Sequence, residues 1–210
     1  MKKRVRHLSD QEALHLHEEA LVIDSKQPPA TSGFIFTERM KLDMLDMDKA
    51  GYTRAQASNQ LAKIAAEEIR NSESAREQYL SLWHRSGVSV ASGTYSAGIE
   101  IEKAFDSATE GIAQARSYID ALQGELQLIL KAEDIETVFN SGKHGLILDF
   151  QDTLPFGTDL SKIDYFYNLG LRVVQLTYNL RNLVGDGCTE RYKTGLTYFG
   201  QTVVQKLNEM

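Results

Sequence analysis

The stretch GLRVVQLTYNLRNLVGDGCTER, residues 170–191, decides how the rest of the sequence is interpreted. Its apolar run ends abruptly in Thr177, Tyr178 and Asn179, and a loop rich in Asn, Gly and Asp follows. A short run of continuous apolar character is typical of a strand buried on both faces of a parallel sheet. The functional loops of such sheets follow the carboxyl ends of the strands. The stretch therefore predicts a buried strand that delivers polar side chains to the mouth of a barrel.

Other apolar runs predict strands of the same kind, and helical periodicity predicts helices between them. The predicted strands are ALVID at 20–24, VSVASGTYS at 88–96, HGLILDF at 144–150 and RVVQLTY at 172–178. The predicted helices cover 9–20, 37–51, 54–83 with a break near 71–74, 107–131, 135–139, 159–170 and 195–210. Strands separated by helices imply a parallel α/β sheet covered on both faces. The loops at its carboxyl edge are 25–29, 94–98, 151–157 and 178–190.

Composition is that of a soluble globular domain and excludes several classes of function. The net charge is −6 and no basic stripe is present, so we expect no nucleic-acid binding. We expect no signal peptide, and no run approaches the roughly 20 apolar residues of a membrane span. The single cysteine, Cys188, makes no intramolecular disulfide, and we expect a cytoplasmic protein. The 210 residues fall short of the roughly 250 that are typical of a complete eight-unit α/β barrel.

Specific motifs lie in the last third of the chain. LGLRVVQLTYN, NLVGDGCTER and GLTYFGQTVVQKLNEM resemble the membrane dipeptidase (renal dipeptidase) family of zinc peptidases, in a bacterial branch, whereas residues 1–143 are similar to it only in layout and in VID at 22–24. The resemblance implies a TIM-like (β/α) barrel with a two-zinc site that cleaves dipeptides or related small amides. It extends over about the first four β/α units. We therefore expect residues 1–210 to form a single partial barrel domain, the first half of such a protein.

Several positions differ from the metal-ligand pattern of that family. Its first strand runs into Asp-Gly-His-Asn-Asp, whose His and last Asp bind metal, and residues 24–28 of this chain read DSKQP. The Lys26 ammonium has donors only, and Pro28 has no side-chain ligand. The zinc-bridging Glu of the family aligns with Gln151, a neutral amide. Zinc is thus implied by the resemblance alone. The nearby carboxylates that remain as metal candidates, and that equally suit backbone hydrogen bonding, are Asp24, Asp149 and Asp152.

A small-molecule or dipeptide substrate is expected at the barrel mouth, with contacts from Tyr178, Asn179, Arg181 and Lys26. The resemblance places Tyr178 where the family has a substrate-side His. A tyrosine hydroxyl donates to an oxyanion, but with an unperturbed pKa of about 10 it is a poor base. Tyr178, Asn179 and Arg181 suit loop scaffolding as well as substrate contact. Cys188 has no His in its loop, and we do not expect it to be a nucleophile.

Two functional hypotheses remain open from the sequence. One is a membrane-dipeptidase-like, metal-dependent hydrolase, and the other is a non-catalytic relative or pseudoenzyme that binds a small ligand at the barrel mouth. A half barrel leaves the edges of its first and fourth strands unpaired. We therefore expect a truncated or partial chain or, alternatively, a short protein that closes its sheet as a homodimer.

Overall fold

In the computed structural model, which describes residues 7–26, 35–95 and 101–210, eight α-helices accompany five β-strands. The strands are β1 (Ile23–Asp24), β2 (Val90–Thr94), β3 (Leu126–Leu128), β4 (His144–Phe150) and β5 (Leu171–Val174). The helices are α1 (Asp10–Glu19), α2 (Glu38–Lys49), α3 (Arg54–Asn71), α4 (Glu73–Ser86), α5 (Ala104–Ala121), α6 (Ala132–Asn140), α7 (Ser161–Asn168) and α8 (Tyr198–Asn208). None of the described helices is both long enough and apolar enough to cross a membrane.

Capping residues set several helix boundaries at the predicted places. The Ser9 hydroxyl accepts the N–H of Glu12, and the Glu12 carboxylate accepts the N–H of Ser9, which begins α1 with a capping box. Ser72 separates α3 from α4, so the predicted break in the 54–83 segment is confirmed. Gly51 follows α2 with a φ of 76°, the left-handed conformation predicted for it.

The predicted helix over residues 107–131 is wrong in its second half. After α5, Gln123 and Gly124 have φ values of 53° and 93°, which no α-helix contains. The chain then enters β3, where Leu126 is buried and pairs with His144 of β4. Gly124, followed by alternating apolar residues, is the sequence signal for this strand.

Three predicted strands are shorter in the structure, and of the run 20–24 only Ile23 and Asp24 form β1. The run 172–178 contributes β5 only up to Val174, although the N–H of Gln175 still donates to the Phe150 carbonyl at 2.8 Å. The run 88–96 contributes β2, and its last position, Ser96, lies outside the described residues. Hydrogen-bonded strand pairing therefore covers fewer residues than the apolar runs in the sequence.

The strands form one parallel sheet with β4 at its centre. β1 pairs with β2, and β2 pairs with β4 in a register that aligns Val90 with Gly145. The other edge of β4 pairs with β3 through residues 144–146 and with β5 through residues 148–150. The path β1-β2-β4-β5 places four parallel strands side by side, each separated from the next along the chain by helices. The predicted α/β fold with about four β/α units is confirmed.

The face of the sheet that points toward the helices holds the main core. Leu146, Leu148 and Phe150 alternate along β4 and are fully buried there. The Phe150 ring lies 4.9 Å from the ring of Phe166 in α7, in an edge-on arrangement. Burial of each of these side chains stabilises the fold by roughly 1.5–3 kcal/mol relative to exposure.

The opposite, inner face is only partly covered. Near the amino ends of the strands, Val90 and Ile147 pack with Val138 of α6 in a second, smaller cluster. Ile23 of β1 and Val173 of β5 each keep an exposed fraction of 46%. The apolar strands predicted that both faces of the sheet would be covered. On the inner face of the described sheet, this coverage is found only where α6 packs.

Candidate functional site

A buried carboxylate organises the carboxyl end of the sheet. Asp149, on the inner face of β4, is completely buried. Its Oδ2 accepts a hydrogen bond from the Ser92 hydroxyl at 2.6 Å, and its Oδ1 accepts one from the Thr94 hydroxyl at 2.8 Å. Ser92 and Thr94 reach it because they alternate along β2, which lies beside β4. Neighbouring parallel strands thus converge on one polar cluster at the edge where functional sites form.

Lys26 supplies the positive charge of this cluster. Its Nζ lies 2.9 Å from Asp149 Oδ1, while 46% of the lysine side chain remains exposed. The backbone N–H of Lys26 donates to Asp24 Oδ1 at 3.0 Å, so this carboxylate stabilises the turn after β1. The ion pair neutralises the buried carboxylate and keeps the ammonium at the carboxyl end of the sheet. Lys26 and Asp149, two of the predicted site residues, are therefore brought together.

Asp152 and Gln151 follow β4 on the chain, and both are half-buried. Asp152 Oδ1 accepts the N–H of Leu154 at 3.0 Å, at the start of the 3₁₀ turn Leu154–Phe156. Burial raises the pKa of Asp152 above its ordinary value, and the N–H of Leu154 opposes that shift. The contact is of the backbone-capping kind that the sequence also allowed. Pro28, the remaining position of the family pattern, lies outside the described residues.

The loop after β5 carries the other predicted substrate contacts. The Tyr178 side chain is 47% exposed, and its backbone carbonyl accepts the N–H of Cys188 at 2.8 Å. The Asn179 carbonyl accepts the N–H of Thr189, and the Cys188 thiol donates to Asn179 Oδ1 at 3.2 Å. These bonds close the loop on itself. The Tyr178 side chain remains about half exposed at the surface of this closed loop.

Arg181 is tied into the same loop by Asp186. The guanidinium pairs with Asp186 Oδ1, and the Arg181 N–H donates to Glu190 Oε1 at 2.8 Å. Asp186 Oδ2 accepts the backbone N–H groups of Thr194 and Gly195. The N–H of Thr194, then that of Gly195, the Thr194 hydroxyl and the Arg181 charge hold the pKa of Asp186 below its ordinary value. These contacts are those of a loop scaffold.

Sequence reasoning missed three residues that build the site. Ser92 was not singled out, and Thr94 entered only as the first residue of the 94–98 loop, although polar residues at alternate positions within an apolar strand were a visible signal. Asn182 was also missed. Its amide donates to the Thr153 hydroxyl at 3.1 Å and to the Leu176 carbonyl at 2.9 Å, which fixes the loop after β5 against the loop after β4. An Asn within a loop carries no comparable signal.

The zinc implied by the sequence resemblance does not fit the side chains that lie together here. A two-zinc site needs several His, Cys or carboxylate ligands around the ions. Residues 7–26, 35–95 and 101–210 contain no group of three such side chains that could hold a metal. Asp149 is already neutralised by Lys26, so a dication there would have to displace an ammonium. The described residues therefore provide a salt-bridged polar cluster in place of a metal centre.

The fold is an α/β fold with a parallel sheet, and its polar residues gather at the carboxyl ends of the strands, the edge at which TIM-like barrels place their functional sites. Solved structures share this fold. An amidohydrolase from Pseudomonas aeruginosa is 22% identical with a TM-score of 0.60, over 93% of this chain and 45% of that one. The probable dipeptidase PvdM from Pseudomonas aeruginosa is 16% identical with a TM-score of 0.63, over 95% and 47%.

A metallo peptidase from Rhodobacter sphaeroides, liganded with a phosphinate mimic of the dipeptide L-Ala-D-Ala, is 16% identical with a TM-score of 0.56, over 69% of this chain and 53% of that one. The chain thus spans about half the length of these structures. No curated protein sequence matches it significantly. The model of the membrane dipeptidase family (Peptidase family M19) matches residues 11–210, and the chain belongs to that family. The resemblance inferred from the motifs is confirmed.

Proposed function

We propose that the chain acts as a dipeptidase-like hydrolase on dipeptides or related small amides. The observation that carries the proposal is the convergence of Lys26, Asp149, Ser92 and Thr94 at the carboxyl end of the sheet, in a chain whose family match extends over residues 11–210. The dipeptide mimic bound by the metallo peptidase from Rhodobacter sphaeroides supports this substrate class.

The described residues suit recognition of the substrate's charged and polar groups. The Lys26 ammonium is half-exposed at the mouth and provides donors for a carboxylate or for a carbonyl oxygen that gains charge. Tyr178 presents its ring and hydroxyl to solvent in the loop after the neighbouring strand. Asp149 holds the ammonium at a fixed position, because it is itself fixed by two hydroxyl donors. The proposal assigns binding and orientation to these groups, and it assigns no metal ligand among them.

The experiment is hydrolysis of L-Ala-D-Ala by the purified chain, followed as release of free alanine, with and without added zinc. We expect release above the buffer rate, and a lower rate for Tyr178→Phe. Tyr192→Phe is the matched control, because Tyr192 is 85% exposed in the same loop region and is assigned no role. Absence of alanine release under both conditions, from a chain that is folded by circular dichroism, would overturn the hydrolase proposal.

One observation favours a second candidate, a non-catalytic relative that binds a small anionic ligand. The Lys26–Asp149 pair keeps a half-exposed ammonium with free donor positions at the strand ends, which suits binding of a ligand carboxylate more directly than activation of water. Calorimetric titration with the phosphinate dipeptide mimic tests it. Binding by metal-free protein that lacks hydrolysis and weakens in Lys26→Met supports this candidate. Binding that requires zinc, or that is unchanged by Lys26→Met, contradicts it.

A further inference from the structure

A buried carboxylate lies at the carboxyl end of the sheet with hydrogen-bond donors on both of its oxygens. Asp149 is completely buried; its Oδ2 accepts from the Ser92 hydroxyl at 2.6 Å, and its Oδ1 accepts from the Thr94 hydroxyl at 2.8 Å. The two hydroxyls supply hydrogen bonds but no charge. Because a buried charge requires a paired countercharge as well as hydrogen bonds, this cluster requires one cation.

The anionic part of the cluster is fixed by the two strands at the centre of the sheet. The parallel register of β2 and β4 places Thr94 beside Asp149, and Ser92 lies two residues before Thr94 on the same face of β2. Lys26 instead follows β1 and reaches Asp149 Oδ1 at 2.9 Å through a long side chain that remains 46% exposed. The strands therefore build the binding site, and an adaptable side chain delivers the cation.

The cluster fits a singly charged cation that donates hydrogen bonds. Both hydroxyls donate to the carboxylate, whose single negative charge balances one positive charge. A dication would leave a buried positive charge that this carboxylate does not balance. Zinc also takes four ligands, and the part of the chain that the structure describes brings no three His, Cys, Asp or Glu side chains together for a metal. A primary ammonium, with one charge and three N–H donors, matches the site.

We propose that Asp149, Ser92 and Thr94 form a binding site for a primary ammonium, and that Lys26 permanently supplies this ammonium in place of the metal that the family implies. When Lys26 is shortened, a free alkylammonium of the deleted length takes its place. The inference concerns how the cluster is neutralised. It is tested by stability alone and does not depend on the proposed hydrolase activity.

Thermal unfolding of Lys26→Ala with added n-propylammonium chloride is the test. This substitution deletes three methylene groups and the ammonium, which n-propylammonium restores. We expect the variant to have a lower Tm than wild type, and about 50 mM n-propylammonium to recover at least about half of the loss by mass action. Neutral n-propanol, and tetramethylammonium, which has no N–H donor, should each move the Tm by less than about 1 °C. Wild type should not respond, because its site is already filled.

Two control variants show whether the added ammonium binds at this cluster. Lys49 forms a similar pair with Asp46, but both side chains are 74% exposed, so n-propylammonium should leave the Tm of Lys49→Ala unchanged. The double variant Lys26→Ala/Asp149→Asn should lose the response, because the countercharge is gone.

Three results would overturn the proposal. They are an equal rise in Tm of Lys26→Ala with n-propanol, a rise that persists in the double variant, and a larger rise with equimolar zinc than with n-propylammonium. If Lys26→Ala does not fold in plain buffer, its refolding yield from urea becomes the measurement. The yield should then increase with n-propylammonium, and equal yields with n-propylammonium and n-propanol would contradict the ammonium site.

Discussion

Removing the ammonium at the barrel mouth is the most direct perturbation of the site. Lys26→Met keeps the length of the side chain but leaves the fully buried carboxylate of Asp149 without its counter-ion. Breaking a fully buried ion pair by removing one partner costs about 3–5 kcal/mol. Nearly half of the Lys26 side chain is exposed, so solvent screening reduces that figure. The hydroxyls of Ser92 and Thr94 also continue to stabilise the carboxylate.

We therefore expect Lys26→Met to lower the free energy of unfolding by about 2 kcal/mol. For a chain of this size, that corresponds to a fall in Tm of roughly 4–8 °C. Urea unfolding of wild type, Lys26→Met, Asp149→Asn and the double variant gives the coupling energy of the pair. We expect it to be about 1–2 kcal/mol, because the two side chains are in direct contact.

The control is an ion pair with nearly the same geometry on the surface. Lys49 Nζ lies 2.8 Å from Asp46 Oδ1, but both side chains are 74% exposed. Lys49→Met should therefore cost much less stability than Lys26→Met, because water and salt screen the exposed pair. Equal losses for Lys26→Met and Lys49→Met, or a coupling energy below about 0.3 kcal/mol, would refute the role assigned to the buried pair.

Three further outcomes are expected. Burial lowers the pKa of His144, although the hydrogen bond to the Val88 carbonyl opposes the shift. As the pH falls, the imidazole therefore becomes protonated in the unfolded chain before it does so in the folded chain, and the free energy of unfolding should decline below about pH 6.5. Urea unfolding at several pH values measures this decline, and His144→Gln should flatten it. A methyl group at Gly187 would overlap the Asn179 backbone, so Gly187→Ala should lower the free energy of unfolding by about 2–3 kcal/mol. Gly142→Ala is the control, because nothing lies near the added methyl group, and it should cost about 1 kcal/mol. Equal losses of stability in thermal unfolding would contradict this packing. EDTA or equimolar zinc should move the wild-type Tm by less than about 1 °C, because Lys26 already neutralises Asp149, and a larger rise with zinc would reveal a metal site.

Much of the fold follows from local signals in the sequence. The capping box at Ser9, the break at Ser72 and the left-handed Gly51 depend on residues a few positions apart, so a single sequence is enough to locate them. β3 was missed because its three residues sit inside a longer apolar pattern, and the positive φ values that interrupt it belong to Gln123 and Gly124. A strand of three residues is too short to show the alternation of apolar and polar residues by which longer strands are predicted.

The candidate site was less predictable, because its contacts are distant along the chain. Lys26 and Asp149 were each singled out for other reasons, yet 123 positions separate them and only the parallel register brings them together. The roles of Asn179 and Arg181 depend in the same way on how one loop closes through Asp186. Residue types indicate what a side chain is able to do, and the backbone decides which of those contacts is made.

The central position of β4 has a consequence for the order in which the chain folds. Leu126 of β3 pairs with His144, only 18 positions further on, whereas Val90 of β2 pairs with Gly145 across 55 positions. Closing the shorter loop costs less chain entropy, and local contacts of this kind form faster. The β3-α6-β4 unit is therefore the expected nucleus on which β5 and then β2 assemble, with β1 added last. Substitutions at Leu126 should slow refolding, while substitutions at Ile23 should mainly accelerate unfolding.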